Sequence, residues 1–131
     1  MRILIADDQP KVRFALRVVL EQRPGSKQVG EAVDAASLLA QARAICPDLV
    51  ILDWDLPGMP APDLQIQLRK VCPDLLVIAL SGNQEAQRAA LSAGADAFVC
   101  KCDSPDQLLS AIEASWRKWQ ASSEKNLEVR S

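Results

Sequence analysis

Short aliphatic runs alternate along the chain with stretches whose apolar residues recur at helical spacing. The five runs occupy residues 3–6, 29–33, 49–52, 75–80 and 97–100. Runs of this length with little polar alternation are typical of strands that are buried on both faces. The pattern therefore predicts five strands of one parallel sheet.

The segments between and after these runs predict five helices. Pro10 suits the first turn of the first helix, Asp34 is a predicted N-cap of the second, and residues 104–107 form a predicted capping box for the last. The apolar faces consist, in chain order, of Val12, Ala15, Leu16, Val19 and Leu20; Leu38, Leu39, Ala42 and Ile45; Leu64, Leu68 and Val71; Ala86, Ala89, Ala90 and Ala93; and Leu108, Leu109, Ile112, Trp116 and Trp119.

Strict alternation of strands and helices indicates an α/β fold with right-handed crossovers and helices on both faces of the sheet. At 131 residues, the expected fold is a doubly wound, flavodoxin-like (βα)5 domain whose five parallel strands follow the order 2-1-3-4-5. We expect this domain to occupy residues 1–120, followed by a polar C-terminal tail or linker over residues 121–131.

Composition and charge exclude several classes of function. The formal net charge is only -2, so a general basic surface is absent and we expect no direct binding to nucleic acid. No apolar run approaches the length needed to cross a bilayer, and the N-terminus reaches Asp7-Asp8 too soon for a signal peptide. The expected location is the cytoplasm, with no membrane partner.

The chain has no histidine and four cysteines, Cys46, Cys72, Cys100 and Cys102. Cys100 and Cys102 form a C-x-C pattern, which differs from the C-x-x-C of redox and zinc sites. Cys46 and Cys72 precede their strands and therefore lie at the opposite end of the sheet, so the two pairs cannot converge on one metal. We expect four free thiols that are buried or half-buried.

Candidate functional side chains lie directly beyond the ends of the predicted strands. Asp7 and Asp8 follow the first strand, Asp53 follows the third, and Ser81 and Lys101 follow the fourth and fifth. In an open parallel sheet, ligands bind beyond the carboxyl ends of the strands where the winding direction reverses, which is here between strands one and three. The five side chains are therefore expected to share one site.

Three carboxylates in one crevice repel one another by about 1 to 4 kcal/mol per close pair. Lys101 offsets part of this repulsion, and we expect a divalent cation with oxygen ligands to offset the rest. Mg²⁺ fits best, with carboxylates from Asp8 and Asp53, the backbone carbonyl of Asp55, and Asp7 in support. The lack of histidine and the remote thiols make zinc a poor fit.

This arrangement resembles the signature of response-regulator receiver domains of the CheY type. The signature is carried by Asp7, Asp8, Asp53, Ser81 and Lys101. Pro57-Gly58 matches the family pattern after the acceptor, and Phe98 matches its aromatic switch position. The resemblance covers residues 2–119, and segments 7–10 and 93–98 are most similar to receivers that precede a helix-turn-helix output domain.

The resemblance implies a role in two-component signalling and in the regulation of transcription. Asp53 would take a phosphoryl group from a sensor histidine kinase in a Mg²⁺-dependent reaction, with Lys101 and Ser81 contacting phosphoryl oxygens. Ser81 and Phe98 would then switch the surface formed by the fourth helix, the fifth strand and the fifth helix. This surface would bind an output domain or a second copy of the chain. The domain would not be an enzyme beyond its own phosphoryl transfer and autodephosphorylation.

One departure from the family pattern concerns the residue after Lys101, which is Cys102 where many relatives have proline. A cis Lys101-Cys102 bond would cost about 2.5 to 4 kcal/mol, which leaves the geometry of this loop open.

Two other functions stay open at this point. Asp53-Trp54-Asp55 could serve a small phosphohydrolase, although that family places the pair after the first strand and the chain has no room for a cap domain. Alternatively, a degenerate receiver could act only as a protein-interaction module. Turnover of a phosphate ester would favour the first, and Mg²⁺-dependent quenching of Trp54 fluorescence would exclude the second.

Overall fold

A computed structural model describes the backbone of residues 1–130 and the side chains of residues 1–122. The strands are β1 (Arg2–Ala6), β2 (Lys27–Ala32), β3 (Leu49–Asp53), β4 (Leu76–Ser81) and β5 (Ala97–Cys100). The helices are α1 (Pro10–Glu21), α2 (Ala35–Ile45), α3 (Ala61–Val71), α4 (Ala86–Ser92) and α5 (Pro105–Arg130). All strand pairs are parallel, and the order is β2-β1-β3-β4-β5, as predicted.

Two hydrophobic cores cover the two faces of the sheet, because side chains alternate between faces along each strand. On one face, Leu4 and Leu52 pack with residues of α2 and α3, such as Leu38. On the other face, Ile3 and Ile51 pack with residues of α1 and α5. Every residue of β3 and β4 is buried, which confirms the doubly wound prediction.

Strand β2 differs from its prediction in position and character. It starts at Lys27 and ends at Ala32, and only Ala32 is fully buried. The expectation that all strands are continuously apolar is therefore wrong here. The reason is that β2 is an edge strand that pairs only with β1, so part of it faces solvent.

Two of the three local signals at the helix starts are confirmed. The predicted capping box of α5 is not, because the N–H of Gln107 donates to the backbone carbonyl of Ser104 at 3.1 Å and not to its side chain. Asp34 caps α2, since its Oδ1 accepts the N–H of Ser37 at 2.7 Å. Proline occupies the first position of α1 and of α5, where its missing N–H has no intrahelical role. Helix α5 continues to Arg130, so most of the predicted tail over residues 121–131 lies outside the residues whose side chains are described. The boundary at residue 120 stays a prediction.

The prediction of four free thiols is wrong for Cys100 and Cys102, which form a disulfide. A tight turn after β5, closed by the N–H of Asp103 donating to Cys100 O at 3.0 Å, brings the two Cα atoms to 5.1 Å. This separation is usual for a disulfide, and the C-x-C spacing by itself does not reveal the turn that produces it. Cys46 and Cys72 are free, as predicted, but only Cys72 is buried; the expected burial is wrong for Cys46, which is exposed at the C-terminal end of α2.

Two further findings concern the backbone and the helices. The peptide bonds of the described residues are trans, including Lys101-Cys102. Among those residues, no helix combines the length and the apolar character that a membrane span requires.

Candidate functional site

Four strands deliver the predicted site residues to one end of the sheet. Asp7 directly follows β1, Asp53 and Ser81 are the last residues of β3 and β4, and Lys101 directly follows β5. Parallel pairing in register, with Asp53 opposite Leu80 and Ser81 opposite Cys100, aligns these strand ends. The relative exposures of Asp7, Asp53 and Ser81 are only 0%, 2% and 1%, so the site is embedded in the domain.

Three carboxylates form the centre of this site. Asp7, Asp8 and Asp53 each offer an oxygen, and the three oxygens lie within 4.8 Å of one another. Asp8 is exposed to solvent, whereas Asp7 and Asp53 are buried. Two of the three carboxylates are therefore buried, and the carboxylate of Asp8 is the one open to solvent.

Lys101 is the cation that faces this cluster. Its Nζ lies 2.9 Å from Asp7 Oδ2 and 3.5 Å from Asp53 Oδ1. Burial lowers the pKa of Lys101, but the neighbouring carboxylates of Asp7 and Asp53 outweigh burial and hold this pKa above its usual value. Lys101 is thus a fixed positive charge at neutral pH.

The pKa of Asp53 stays above its usual value even though the ammonium group of Lys101 lies nearby. Burial raises its pKa, and the negative charge of Asp7 raises it further. The N–H of Asp55 and the ammonium group of Lys101 act in the opposite direction, but the pKa stays above its usual value. One ammonium group does not neutralise a cluster of three carboxylates.

An oxygen-only donor set with a charge deficit fits Mg²⁺, which prefers carboxylate, carbonyl and water oxygens. Asp8 and Asp53 are suitably placed to supply carboxylates, with Asp7 behind them. The Cys100–Cys102 sulfurs are joined in a disulfide and the other two cysteines lie at the opposite end of the sheet, so a zinc site does not fit.

Backbone N–H groups hold three of the site side chains in place. Asp53 Oδ1 accepts the N–H of Asp55 at 3.0 Å, and Asp7 Oδ1 accepts the N–H of Gln9 at 2.8 Å. Ser81 Oγ accepts the N–H of Asn83 at 3.1 Å. Each bond spans two residues and closes a local turn, so these side chains are oriented before any ligand arrives.

Gln9 is a site residue that the sequence argument missed. Its Oε1 accepts a hydrogen bond from Lys101 Nζ at 3.1 Å. Gln9 occupies the N-cap of α1 but makes no side-chain capping bond, so its amide is available to Lys101. The sequence feature that could have identified Gln9 is its position, since it is a polar residue at the predicted N-cap of the first helix and directly follows Asp7-Asp8.

The predicted switch residues, Ser81 and Phe98, lie on neighbouring strands. Phe98 pairs with Ala79, two residues before Ser81, and side chains two residues apart share a face of a strand. Phe98 is half-buried and packs against the core on the α2 and α3 side. Both residues therefore belong to the same face of the sheet, as a linked movement would require.

The model of the response regulator receiver domain family matches residues 3–113. The chain belongs to this family. Among curated relatives of the receiver domain is the nitrate/nitrite response regulator protein NarP of Escherichia coli K12, which is 33% identical over 126 residues. This match covers 95% of the chain but 59% of NarP, and the chain spans little more than half the length of the curated relatives it matches.

Solved structures agree with this assignment. The isolated receiver domain of RcsB from Salmonella enterica serovar Typhimurium, determined with the phosphomimetic BeF3−, is 29% identical with a TM-score of 0.84, over 89% of this chain and 88% of that one. A LuxR-family two-component response regulator from Aurantimonas sp. SI85-9A1 is 35% identical with a TM-score of 0.79, over 86% and 82%. The predicted family and fold are confirmed, and a phosphohydrolase is not favoured.

Proposed function

We propose that Asp53 is the phosphoryl acceptor of this receiver domain and that a sensor histidine kinase is the donor. The observation that carries the proposal is the position of Asp53, which is 2% exposed at the tip of β3 with Asp7, Asp8 and Lys101 around it. In the transfer, a carboxylate oxygen of Asp53 forms a bond to phosphorus while the bond from phosphorus to the kinase imidazole breaks. The product is an acyl phosphate.

Mg²⁺ is the proposed cofactor of this reaction. Asp8, Asp53 and the backbone carbonyl of Asp55 would hold it, and Asp7 would support them. When bound, Mg²⁺ supplies positive charge beside the oxygens of the transferring group. This charge is what the carboxylate cluster lacks, since Lys101 provides the one ammonium group facing it among the described residues.

Lys101 and Ser81 are proposed to contact the phosphoryl oxygens. The ammonium group of Lys101 already reaches toward Asp53, 3.5 Å away. The Ser81 hydroxyl accepts the N–H of Asn83, which leaves its own proton free to donate to a phosphoryl oxygen. Charge-assisted hydrogen bonds of this kind are stronger than neutral ones, so both residues favour the phosphorylated state.

Phosphorylation is proposed to alter the surface of α4, β5 and α5. The phosphoryl group adds about 1.5 to 2 negative charges next to Ser81. Movement of Ser81 toward the group would open space on the face that Phe98 shares. The changed surface would bind an output domain or a second copy of the chain.

The wider setting follows from the relatives, many of which are transcription regulators. We infer that the receiver domain occupies residues 1–120 of a cytoplasmic signalling protein and that it does not itself bind nucleic acid. Its own chemistry would be limited to phosphoryl transfer to Asp53 and autodephosphorylation. Trp54, which lies half-buried beside the acceptor, is a natural reporter for Mg²⁺ binding.

Labelling with acetyl phosphate tests this proposal directly. Wild-type protein is expected to gain one phosphoryl group with Mg²⁺ present and to gain none after chelation. Asp53→Asn is expected to abolish labelling, because an amide does not attack phosphorus. The matched control is Asp63→Asn, an exposed carboxylate in the first turn of α3 that should leave labelling unchanged. Labelling that persists in Asp53→Asn, located by mass spectrometry, would refute the proposal.

A further inference from the structure

Two cysteines occupy equivalent positions at the amino end of the sheet. The sequence Cys-Pro-Asp-Leu occurs at residues 46–49 and again at 72–75. Cys46 is the C-cap of α2 and Cys72 is the C-cap of α3. The strands that follow, β3 and β4, are neighbours in the sheet. The fold therefore places the two cysteines side by side although 25 residues separate them.

One carbonyl group lies next to both cysteines. Ala42 O accepts the N–H of Cys46 at 2.8 Å and the thiol of Cys72 at 3.5 Å. The two cysteines are therefore neighbours, since both contact this one carbonyl. Burial, with the neighbouring Cys46 thiol adding to it, raises the pKa of Cys72 to about 12. Cys72 therefore remains a protonated thiol near neutral pH.

The backbone at Cys46 is unusual. Its φ is 46°, and it is the one non-glycine residue with positive φ in the part of the chain that the structure describes. This left-handed conformation costs a residue with a side chain about 1 to 2 kcal/mol, and glycine or asparagine adopts it more easily. A cysteine at this position keeps a thiol beside Cys72 in spite of that cost.

The pair is open to small molecules from one side. Cys46 is exposed, whereas Cys72 is 2% exposed. Both line a cavity of about 280 Å³ whose walls include Asp48, Asp74 and Trp119. A small oxidant can thus reach the Cys46 sulfur, with the Cys72 sulfur next to it.

We propose that Cys46 and Cys72 form a redox-sensitive dithiol that closes to an intramolecular disulfide when a hydroperoxide enters this cavity. The Cys46 sulfur attacks a peroxide oxygen and the O–O bond breaks, which gives a sulfenic acid on Cys46 and releases water or an alcohol. The Cys72 sulfur then attacks the Cys46 sulfur, the S–O bond breaks, and the hydroxyl group leaves with the Cys72 proton as water. Both thiols are oxidised, and the peroxide is the species reduced.

This disulfide would join the C-terminal ends of α2 and α3. It would be independent of Cys100 and Cys102, which lie at the other end of the sheet and are already joined to each other. The site is also remote from the acceptor, so the inference goes beyond the proposed function and does not depend on it.

Alkylation followed by peptide mapping tests the inference. Cleavage after lysine and arginine places Cys46 in peptide 44–69 and Cys72 in peptide 71–88, each as the single cysteine. Without oxidant, both peptides are expected to be alkylated after unfolding of the protein. After brief treatment with stoichiometric hydrogen peroxide, both should lose alkylation and appear as one linked species that dithiothreitol separates.

Two variants serve as matched controls. Cys46→Asn removes a thiol while it suits the left-handed backbone, and Cys72→Ser keeps a donor for Ala42 O. Neither variant should yield the linked peptides, and Cys46→Asn should keep Cys72 alkylatable after peroxide. The inference is overturned if oxidised wild-type protein retains both thiols. It is also overturned if Cys46 pairs with a second molecule or with Cys100 or Cys102.

Discussion

At the carboxyl end of the sheet Asp53 shares the ammonium group of Lys101 with Asp7, whereas at the amino end Asp96 is surrounded by donors. Asp96 Oδ2 accepts the N–H of Val77 at 2.8 Å and Arg69 Nη2 at 3.1 Å. Asp96 Oδ1 accepts Lys118 Nζ at 2.6 Å. Both carboxylates lose solvent on folding, but Asp96 is surrounded by positive charges and N–H donors, whereas Asp53 lies beside other carboxylates.

The pKa values respond accordingly. Burial raises the pKa of Asp96, but the hydrogen bonds from Lys118 and Val77 outweigh burial, and the pKa falls below its usual value. Burial also raises the pKa of Asp53, and there Asp7 adds to the effect, so the pKa stays high. A carboxylate with enough donors stabilises the fold, whereas one that lacks them keeps a negative charge that a cation can offset.

Lys101→Met should give the largest change in stability. It leaves Asp7, which is fully buried, without its ammonium partner, and breaking a buried ion pair costs about 3 kcal/mol or more. Urea unfolding without Mg²⁺ measures the loss in the free energy of unfolding. The control is Lys118→Met, because the Lys118 side chain is 61% exposed and an exposed ion pair contributes about 0 to 1 kcal/mol. If both variants lost the same free energy of unfolding, the ion pairs at the two ends of the sheet would contribute equally, which would contradict this prediction.

Asp96→Asn should lower the free energy of unfolding by about 2 kcal/mol at pH 7, since hydrogen bonds to a charged group are lost. A lowered folded pKa means that this stabilisation is present above the unfolded pKa of about 4 and is lost as pH falls through the folded pKa. Wild type and variant should therefore converge in stability in acid. Urea unfolding over a pH series measures this, and a difference that is constant with pH would contradict it.

Asp53→Asn should raise the free energy of unfolding by about 1 kcal/mol without Mg²⁺, because it removes one of three repelling charges. The raised folded pKa means that ionised Asp53 opposes folding above that pKa, and that the penalty disappears as pH falls through it. The gain should thus shrink on acidification. Unfolding with and without MgCl2 adds a second comparison, in which Mg²⁺ should stabilise wild type more than the variant. If Mg²⁺ stabilised wild type and Asp53→Asn equally, the cation would bind at a site that does not include Asp53.

The sequence predicted the fold and the composition of the site because both depend on local patterns. Apolar runs identified β3 and β4, and parallel strands bring residues that follow them, such as Asp53 and Ser81, to one end. Contacts between distant segments were harder to foresee. The hydrogen bond from Lys101 to Gln9 joins residues 92 apart in sequence.

The cysteines show the same limit at short and long range. The Cys100–Cys102 disulfide depends on a turn after β5, which residue spacing alone does not reveal. The closeness of Cys46 and Cys72 depends on which strands are neighbours. The predicted order of strands contained that information, because the strands that follow Cys46 and Cys72 are neighbours in it.

The two outermost strands have a consequence for self-assembly. Strand β2 carries Lys27, Gln28 and Glu31 on its partly solvated length, and the register shift beside Ile3 makes its pairing irregular. Strand β5 has four residues, too few to offer a long row of free backbone groups. Edge strands that are short or carry charged side chains discourage the addition of further strands and the growth of fibres. Copies of this domain that associate should therefore meet through helices and not by extending the sheet.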